Sequence, residues 1–237
     1  MIDSNFIKKS KLSIRNVSRE TLEELNAYSF SILKKNKEIN LISSTTEKSI
    51  NTRHIIDSAQ IIDFIDKNDN ICTDIGSGSG LPGIVLAIIM KHKKLDMKFK
   101  LYEKSFHKSN FLKDVSKKFN LNTKIIQKNI SNEKNLKTDL IVARAFKPLP
   151  VILDLVEKNF SKFKYVIVYL GKNGKQLLED SLSKFDFQYK EKNSLTSDDS
   201  IMIKITNLKK NMNEKILSVI NQKGGVGKTT TVINLAA

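Results

Sequence analysis

Apolar residues in this chain follow two different rhythms. Between residues 21 and 33, Leu22, Leu25, Tyr28 and Ile32 recur at helical spacing, with Thr21 and Glu24 placed as a capping box. A second helix is expected over about 47–65, where Ile50, Ile55, Ala59 and Ile62 share a side with His54. From Asn70 the pattern changes. Short β-rich runs at 71–75, 99–102, 123–127, 140–143 and 165–169 alternate with amphipathic stretches at 82–93, 105–119, 150–159 and 174–183. Such alternation predicts parallel β-α-β units in a doubly wound sheet. Runs at 185–189 and 201–205 have no helix between them, so the sheet should end in an antiparallel pair. The expectation is an α/β fold with a seven-stranded mixed sheet, helices on both faces and an N-terminal helical extension. The boundaries expected are 1–66 for the extension, 67–208 for the sheet domain and 209–237 for a further segment, reached through a polar linker over 207–213.

Composition narrows the setting. Of the 237 residues, 40% are hydrophobic, enough for a substantial core. The longest apolar stretch, 81–90, contains Pro82 and Gly83 and is far shorter than the roughly 20 residues that span a bilayer. The N-terminus lacks the apolar centre of a signal peptide, and Cys72 is the single cysteine, so no intrachain disulfide can form. A cytoplasmic protein without a membrane partner is expected, and no protein partner is evident. The net charge of +16 favours a polyanionic partner. Lysine far outnumbers arginine, and Asn and Ile are plentiful, which an AT-rich coding sequence would also produce.

The segment Asp74-Ile75-Gly76-Ser77-Gly78-Ser79-Gly80-Leu81-Pro82-Gly83 joins the first sheet strand to a helix. Glycines let the backbone turn sharply and approach a ligand, which in such sheets lies beyond the carboxyl ends of the strands. Two cofactors compete for this loop. Gly78, Gly80 and Gly83 satisfy G-x-G-x-x-G, with Glu103 20 residues further on, as a dinucleotide site requires. Asp74, two residues before Gly76, gives instead a D-x-G-x-G-x-G arrangement that resembles motif I of class I, Rossmann-like methyltransferases. In that reading the carboxylate after the second strand accepts both ribose hydroxyls.

Several separated motifs resemble one family, the 16S ribosomal RNA guanine-N7 methyltransferases, also called the glucose-inhibited division protein B family. They are Asn40-Leu41 with Ser43, the run Arg53-His54-Ile55-Ile56-Asp57-Ser58, the loop 74–83, and Arg144-Ala145-Phe146. The resemblance covers roughly 22–205 and implies an S-adenosylmethionine-dependent enzyme that methylates a guanine N7 in 16S ribosomal RNA or the small ribosomal subunit. It implies cofactor contacts from Asp74, Gly76, Gly78, Leu81 and Glu103, with Ile130 and Ser131 flanking the adenine and Arg144 beside both cofactor and substrate. Arg144 is the candidate catalytic residue; Arg53, His54, Lys108 and Lys172 are candidate RNA contacts, and no metal is implied. Ser131 and Asn129 depart from the acidic residue and arginine common in the family, and the Lys-Gly expected after the fifth strand appears as Gly171-Lys172-Asn173-Gly174. Arg15, Arg19, Arg53 and Arg144 are the only arginines, and a planar fork retained where lysine is the default marks a geometric need. Asp57 is placed to pair with Arg53 at helical i, i+4 spacing. Lys104, His107, Lys108 and Lys113 could form a phosphate-contacting rim or merely a solvated helix face.

Near the C-terminus, the apolar run 216–220 leads into Lys223-Gly224-Gly225-Val226-Gly227-Lys228-Thr229, which resembles the deviant phosphate loop of ParA-type partitioning ATPases. Gln222 stands where the general phosphate-loop pattern has glycine. The expectation is a complete methyltransferase ending near Leu208, followed by the opening of a fused or read-through neighbour. Two other functions stay open from sequence: an NAD-type oxidoreductase, and a non-catalytic RNA-binding or ribosome-assembly protein on the same fold.

Overall fold

A computed structural model describes residues 17–211. The phosphate-loop segment falls outside them. Helix α1 (Arg19–Asn36) is capped by Ser18, whose hydroxyl accepts from the Thr21 amide, and it buries Leu25, Tyr28 and Ile32. The second expected helix is broken. It runs as a 3-10 turn (Ser44–Ser49), a π turn (Asn51–Ile56), one α turn (Asp57–Ala59) and a second 3-10 turn (Gln60–Phe64). Ile55 and Ile56 of the π turn are buried, as are Ile61 and Ile62 of the second 3-10 turn.

Nine strands follow. They are β1 (Ile71–Ile75), β2 (Lys98–Tyr102), β3 (Thr123–Ile126), β4 (Leu136–Lys137), β5 (Leu140–Ala143), β6 (Phe160–Lys162), β7 (Tyr165–Leu170), β8 (Phe185–Asn193) and β9 (Ile201–Lys210). Between them lie α2 (Gly83–His92), α3 (Phe106–Lys118), α4 (Leu149–Asn159) and α5 (Gly174–Leu182). The main sheet has the order β3-β2-β1-β5-β7-β9-β8, parallel up to β7 and antiparallel at β9 and β8. This is the mixed seven-stranded sheet expected. Beside it, β4 and β6 form a short parallel ribbon too brief for the sequence to signal. The terminal pair is longer than predicted, and the linker expected from Asn207 is strand through Lys210. Leu208 is buried there, and Phe185 pairs with Lys210 in the ladder.

Chain order reverses beside β1, which is flanked by β2 and β5, so a crevice opens at its carboxyl end. One apolar cluster joins α1, the broken helical segment, α2, α3 and one face of the sheet; a second joins α4, α5 and the other face. The extension therefore has no core of its own.

At the opposite end of the sheet, Asp69 accepts from the Tyr165 hydroxyl and the Asp66 amide, and pairs with Lys164 at 2.8 Å. Its side chain is fully buried. Asp69→Ala should cost about 2 kcal/mol of stability by leaving these donors unmatched, while cofactor affinity, read at the other end of the strands, stays unchanged. Urea unfolding and calorimetry on the same variant check both halves.

Candidate active site

The loop after β1 is held from below and from the side. Asp74, almost completely buried, accepts from the Gly83 amide at 3.0 Å through Oδ2, tying the end of β1 to the start of α2. Burial is the main force pushing the Asp74 carboxyl up to about 7; nearby Glu103 adds to it, while the Gly83 amide, Ser77 and Arg144 oppose it. Tyr28, from α1, donates to the Ser79 carbonyl at 2.6 Å. Gly76 has φ +72°, and a Cβ there would lie 2.1 Å from the Phe146 ring. At Gly80 (φ +93°) a Cβ would lie 2.5 Å from the Ile84 side chain. Neither position admits another residue without rearrangement. Glu103 follows β2 and faces the loop: Oε2 accepts from the Gly78 amide at 2.9 Å and Oε1 from the Ser105 amide at 2.7 Å.

The loop and Glu103 border a cavity of about 510 Å³ beyond the carboxyl ends of the strands. Of the predicted cofactor residues, Gly76, Gly78, Leu81, Glu103, Ile130 and Arg144 line it. His54 and Lys108 line it too, joined by Lys104, Lys128 and Lys147. Asp74 lies beneath the loop rather than on the cavity wall, Ser131 and Arg53 are exposed outside the wall, and Lys172 is exposed beyond β7. The Ser131 amide is bonded to Asn129 Oδ1 at 3.1 Å, and Asn159 donates to the carbonyls of Ile130 and Ser131. Asn159 thus fixes this turn from α4.

Arg144 anchors the far wall. Its Nε donates to Asp57 Oδ2 at 2.9 Å and its Nη2 to the Arg53 carbonyl at 2.7 Å, with the guanidinium over the Tyr169 ring. The Arg53–Asp57 pairing expected from helical spacing does not form. The π turn leaves the Arg53 side chain exposed, and Asp57 meets Arg144 instead. His54 Nδ1 lies 3.5 Å from both terminal nitrogens of Arg144, and its Nε2 lies 2.8 Å from Thr46 Oγ1. Burial and the Arg144 charge push His54 down to about 4, so at neutral pH it is uncharged, with Nδ1 facing the arginine as an acceptor. Among the described residues, no group of three or more His, Cys, Asp and Glu is placed to hold a metal ion, and no helix is long and apolar enough to cross a membrane.

Sequence reasoning missed Tyr28, Asn36 and Asn159 as site-builders. Asn36 Oδ1 accepts from the amides of Leu41 and Ile42, which set that loop against the cavity. A polar residue closing a helix was the available signal for Asn36 and Asn159; Tyr28 was legible only as core.

Two outcomes follow. Gly76→Ala should lower cofactor affinity at least about tenfold, because the left-handed backbone resists a side chain by roughly 1–2 kcal/mol and Phe146 must leave; calorimetry reads it. A carboxyl raised in the folded state favours folding at low pH and opposes it as pH climbs from the ordinary carboxylate value through about 7. Asp74→Asn keeps an acceptor for Gly83 without the charge, so its stability advantage over the parent should grow between pH 5.5 and 8.5 in urea titrations.

Comparison with known proteins places the chain in a family. The family described as rRNA small subunit methyltransferase G matches residues 21–202, and the AAA domain family matches 214–237. The ribosomal RNA small subunit methyltransferase G of Pelagibacter ubique is 50% identical over 201 residues, 84% of this chain and 94% of that protein. Its counterpart from Ruegeria pomeroyi is 32% identical, covering 81% and 93% respectively. Among solved structures, a SAM dependent methyltransferase from Aquifex aeolicus superposes with a TM-score of 0.50 at 12% identity, covering 66% of this chain and 92% of that one, a likeness of fold. From the relatives and the family match, spanning the extension and nearly all of the sheet, the chain belongs to the rRNA small subunit methyltransferase G family.

Proposed function

We propose that this chain transfers a methyl group from S-adenosylmethionine to N7 of a guanine in 16S ribosomal RNA, acting on the RNA or the small subunit in the cytoplasm. The observation that carries the reading is the occupied start of α2. Gly83 donates its amide to Asp74, and Ile84 donates to the Gly80 carbonyl. A dinucleotide pyrophosphate needs those amides and would meet a carboxylate beneath them. A sulfonium nucleoside has no pyrophosphate to place. The donor set fits it: each Glu103 oxygen holds one amide and keeps a lone pair for one of two adjacent ribose hydroxyls. Leu81, Tyr102 and Ile130 supply apolar surface for an adenine, Gly76 and Gly78 bring backbone close, and Asp74 acts from below by holding the loop.

When bound, the cofactor supplies an electrophilic methyl group. Guanine N7 carries a free lone pair and no proton, so these residues need supply no general base, and placement is their main contribution. Arg144 orients the acceptor base or an adjacent phosphate with N–H donors. Neutral His54 accepts from it without adding a second charge. Lys104, Lys108 and Lys147 stand at the cavity without an ion-pair partner among the described residues, available to RNA phosphates, whereas Lys128 pairs with Glu133. An unstacked loop guanine suits such a crevice better than one inside an A-form helix.

The test uses small-subunit RNA and subunits from cells lacking the gene, incubated with the full chain and methyl-labelled cofactor. Label should appear as N7-methylguanine after nuclease digestion, and Glu103→Ala should weaken cofactor binding about tenfold or more, as expected for loss of charge-assisted bonds. Tight cofactor binding with no label on either substrate would favour the non-catalytic RNA-binding reading.

A further inference from the structure

Asp57 has no role in the reading above, yet it lies where three pieces of the chain meet. Its Oδ2 takes the Arg144 Nε–H bond, while Oδ1 accepts from Thr196 Oγ1 at 2.7 Å and from Gln60 Nε2 at 3.0 Å. Gln60 uses its own oxygen to hold the Leu195 amide at 2.6 Å, and the hydroxyls of Ser194 and Thr196 lie 3.0 Å apart. One carboxylate therefore joins the broken helical segment, the turn after β5 and the connection between β8 and β9. The side chains of Asp57 and Arg144 are each 15% exposed, sheltered enough for their geometry to be defined.

Arg144 is also a wall shared by two spaces. It lines the 510 Å³ cavity and a neighbouring one of about 300 Å³ that reaches Tyr169, Gly171, Ser194 and Ser200. With Nε spent on Asp57 and Nη2 on the Arg53 carbonyl, two short bonds fix the plane of the guanidinium, and Nη1, whose nearest acceptor is His54 Nδ1 at 3.5 Å, is the least committed end and can turn to a ligand. A free arginine would lose rotamer freedom each time it met substrate; one already aimed does not.

We propose that Asp57 is a positioning residue for methyl transfer: it fixes the Arg144 guanidinium in the wall between the two cavities and links that orientation to the β8–β9 connection. The proposal rests on the methyltransferase reading and on Arg144 acting in it. Stability alone accounts poorly for the arrangement, because a partly buried ion pair returns little net free energy over an apolar replacement. Asp57 acts only through Arg144, and this is what can be measured.

The experiment compares Asp57→Ala, Arg144→Ala, the double variant and Thr196→Val in the full chain, with kcat, KM for RNA, cofactor Kd and thermal midpoint for each. Asp57→Ala should lower kcat at saturating substrates about tenfold, the scale expected when a positioned group is let loose. The double variant should be no slower than Arg144→Ala alone, since coupled residues are non-additive. Thr196→Val, which loosens Asp57 without touching Arg144, should lower kcat about threefold, a fraction of that loss, with its thermal midpoint preserved. Losses that multiply in the double variant, or wild-type kcat in Asp57→Ala, would overturn the proposal. If Asp57→Ala does not fold, a folded Thr196→Val with undiminished kcat overturns it equally. Absence of transfer by the unmutated chain is a separate result, which removes the parent reading itself.

Discussion

A single buried carboxylate sets the geometry on which this site depends. Asp74 takes the first amide of α2, so the turn from β1 must pass over it within a few residues. That short path pushes Gly76, Gly78 and Gly80 to positive φ. It also leaves the first amide of α2, which a phosphate at a helix start would claim, already bonded to the Asp74 side chain. The arrangement works against folding near neutral pH, where burial opposes the charge on Asp74. The glycines make the turn itself inexpensive, so the opposition comes from the buried carboxyl rather than from the backbone.

The pocket is assembled from pieces far apart in sequence. The glycine loop and Glu103 come from the first two strands, the turn at Ile130 is fixed by Asn159, and the Arg144 wall is braced by the helical extension. The extension is thus part of the site: Tyr28 holds the loop, Leu41 and Ile42 line the cavity, and the π turn presents His54 and the Arg53 carbonyl.

The sheet, its strand alternation and its antiparallel end were legible because each strand is a short apolar run bounded by turn residues, as at 71–75 and 165–169. The glycine loop and Glu103 were legible for the same reason: spacing along one β-α-β unit is local information. What escaped the sequence was non-local. Asp57 offered Arg53 at the right helical interval, and only the fold brings Arg144 closer. Lys172, exposed and outside both cavities near it, shows the opposite failure, a basic residue at the right end of the sheet without convergence on the crevice. The strand through Lys210 was hidden by its polar outward positions, which read as linker until Leu208 is seen to be buried.

One consequence concerns how the molecule comes apart. Leu25, Tyr28 and Ile32 of the extension belong to the same apolar cluster as Ile88, Phe99 and Leu112 of the sheet domain. Peeling the extension away would wet that face and release the glycine turn at once. Amide exchange in α1 and α2 should therefore report one cooperative unit, and trimming the chain down to its sheet would yield a sticky half-core rather than a minimal enzyme.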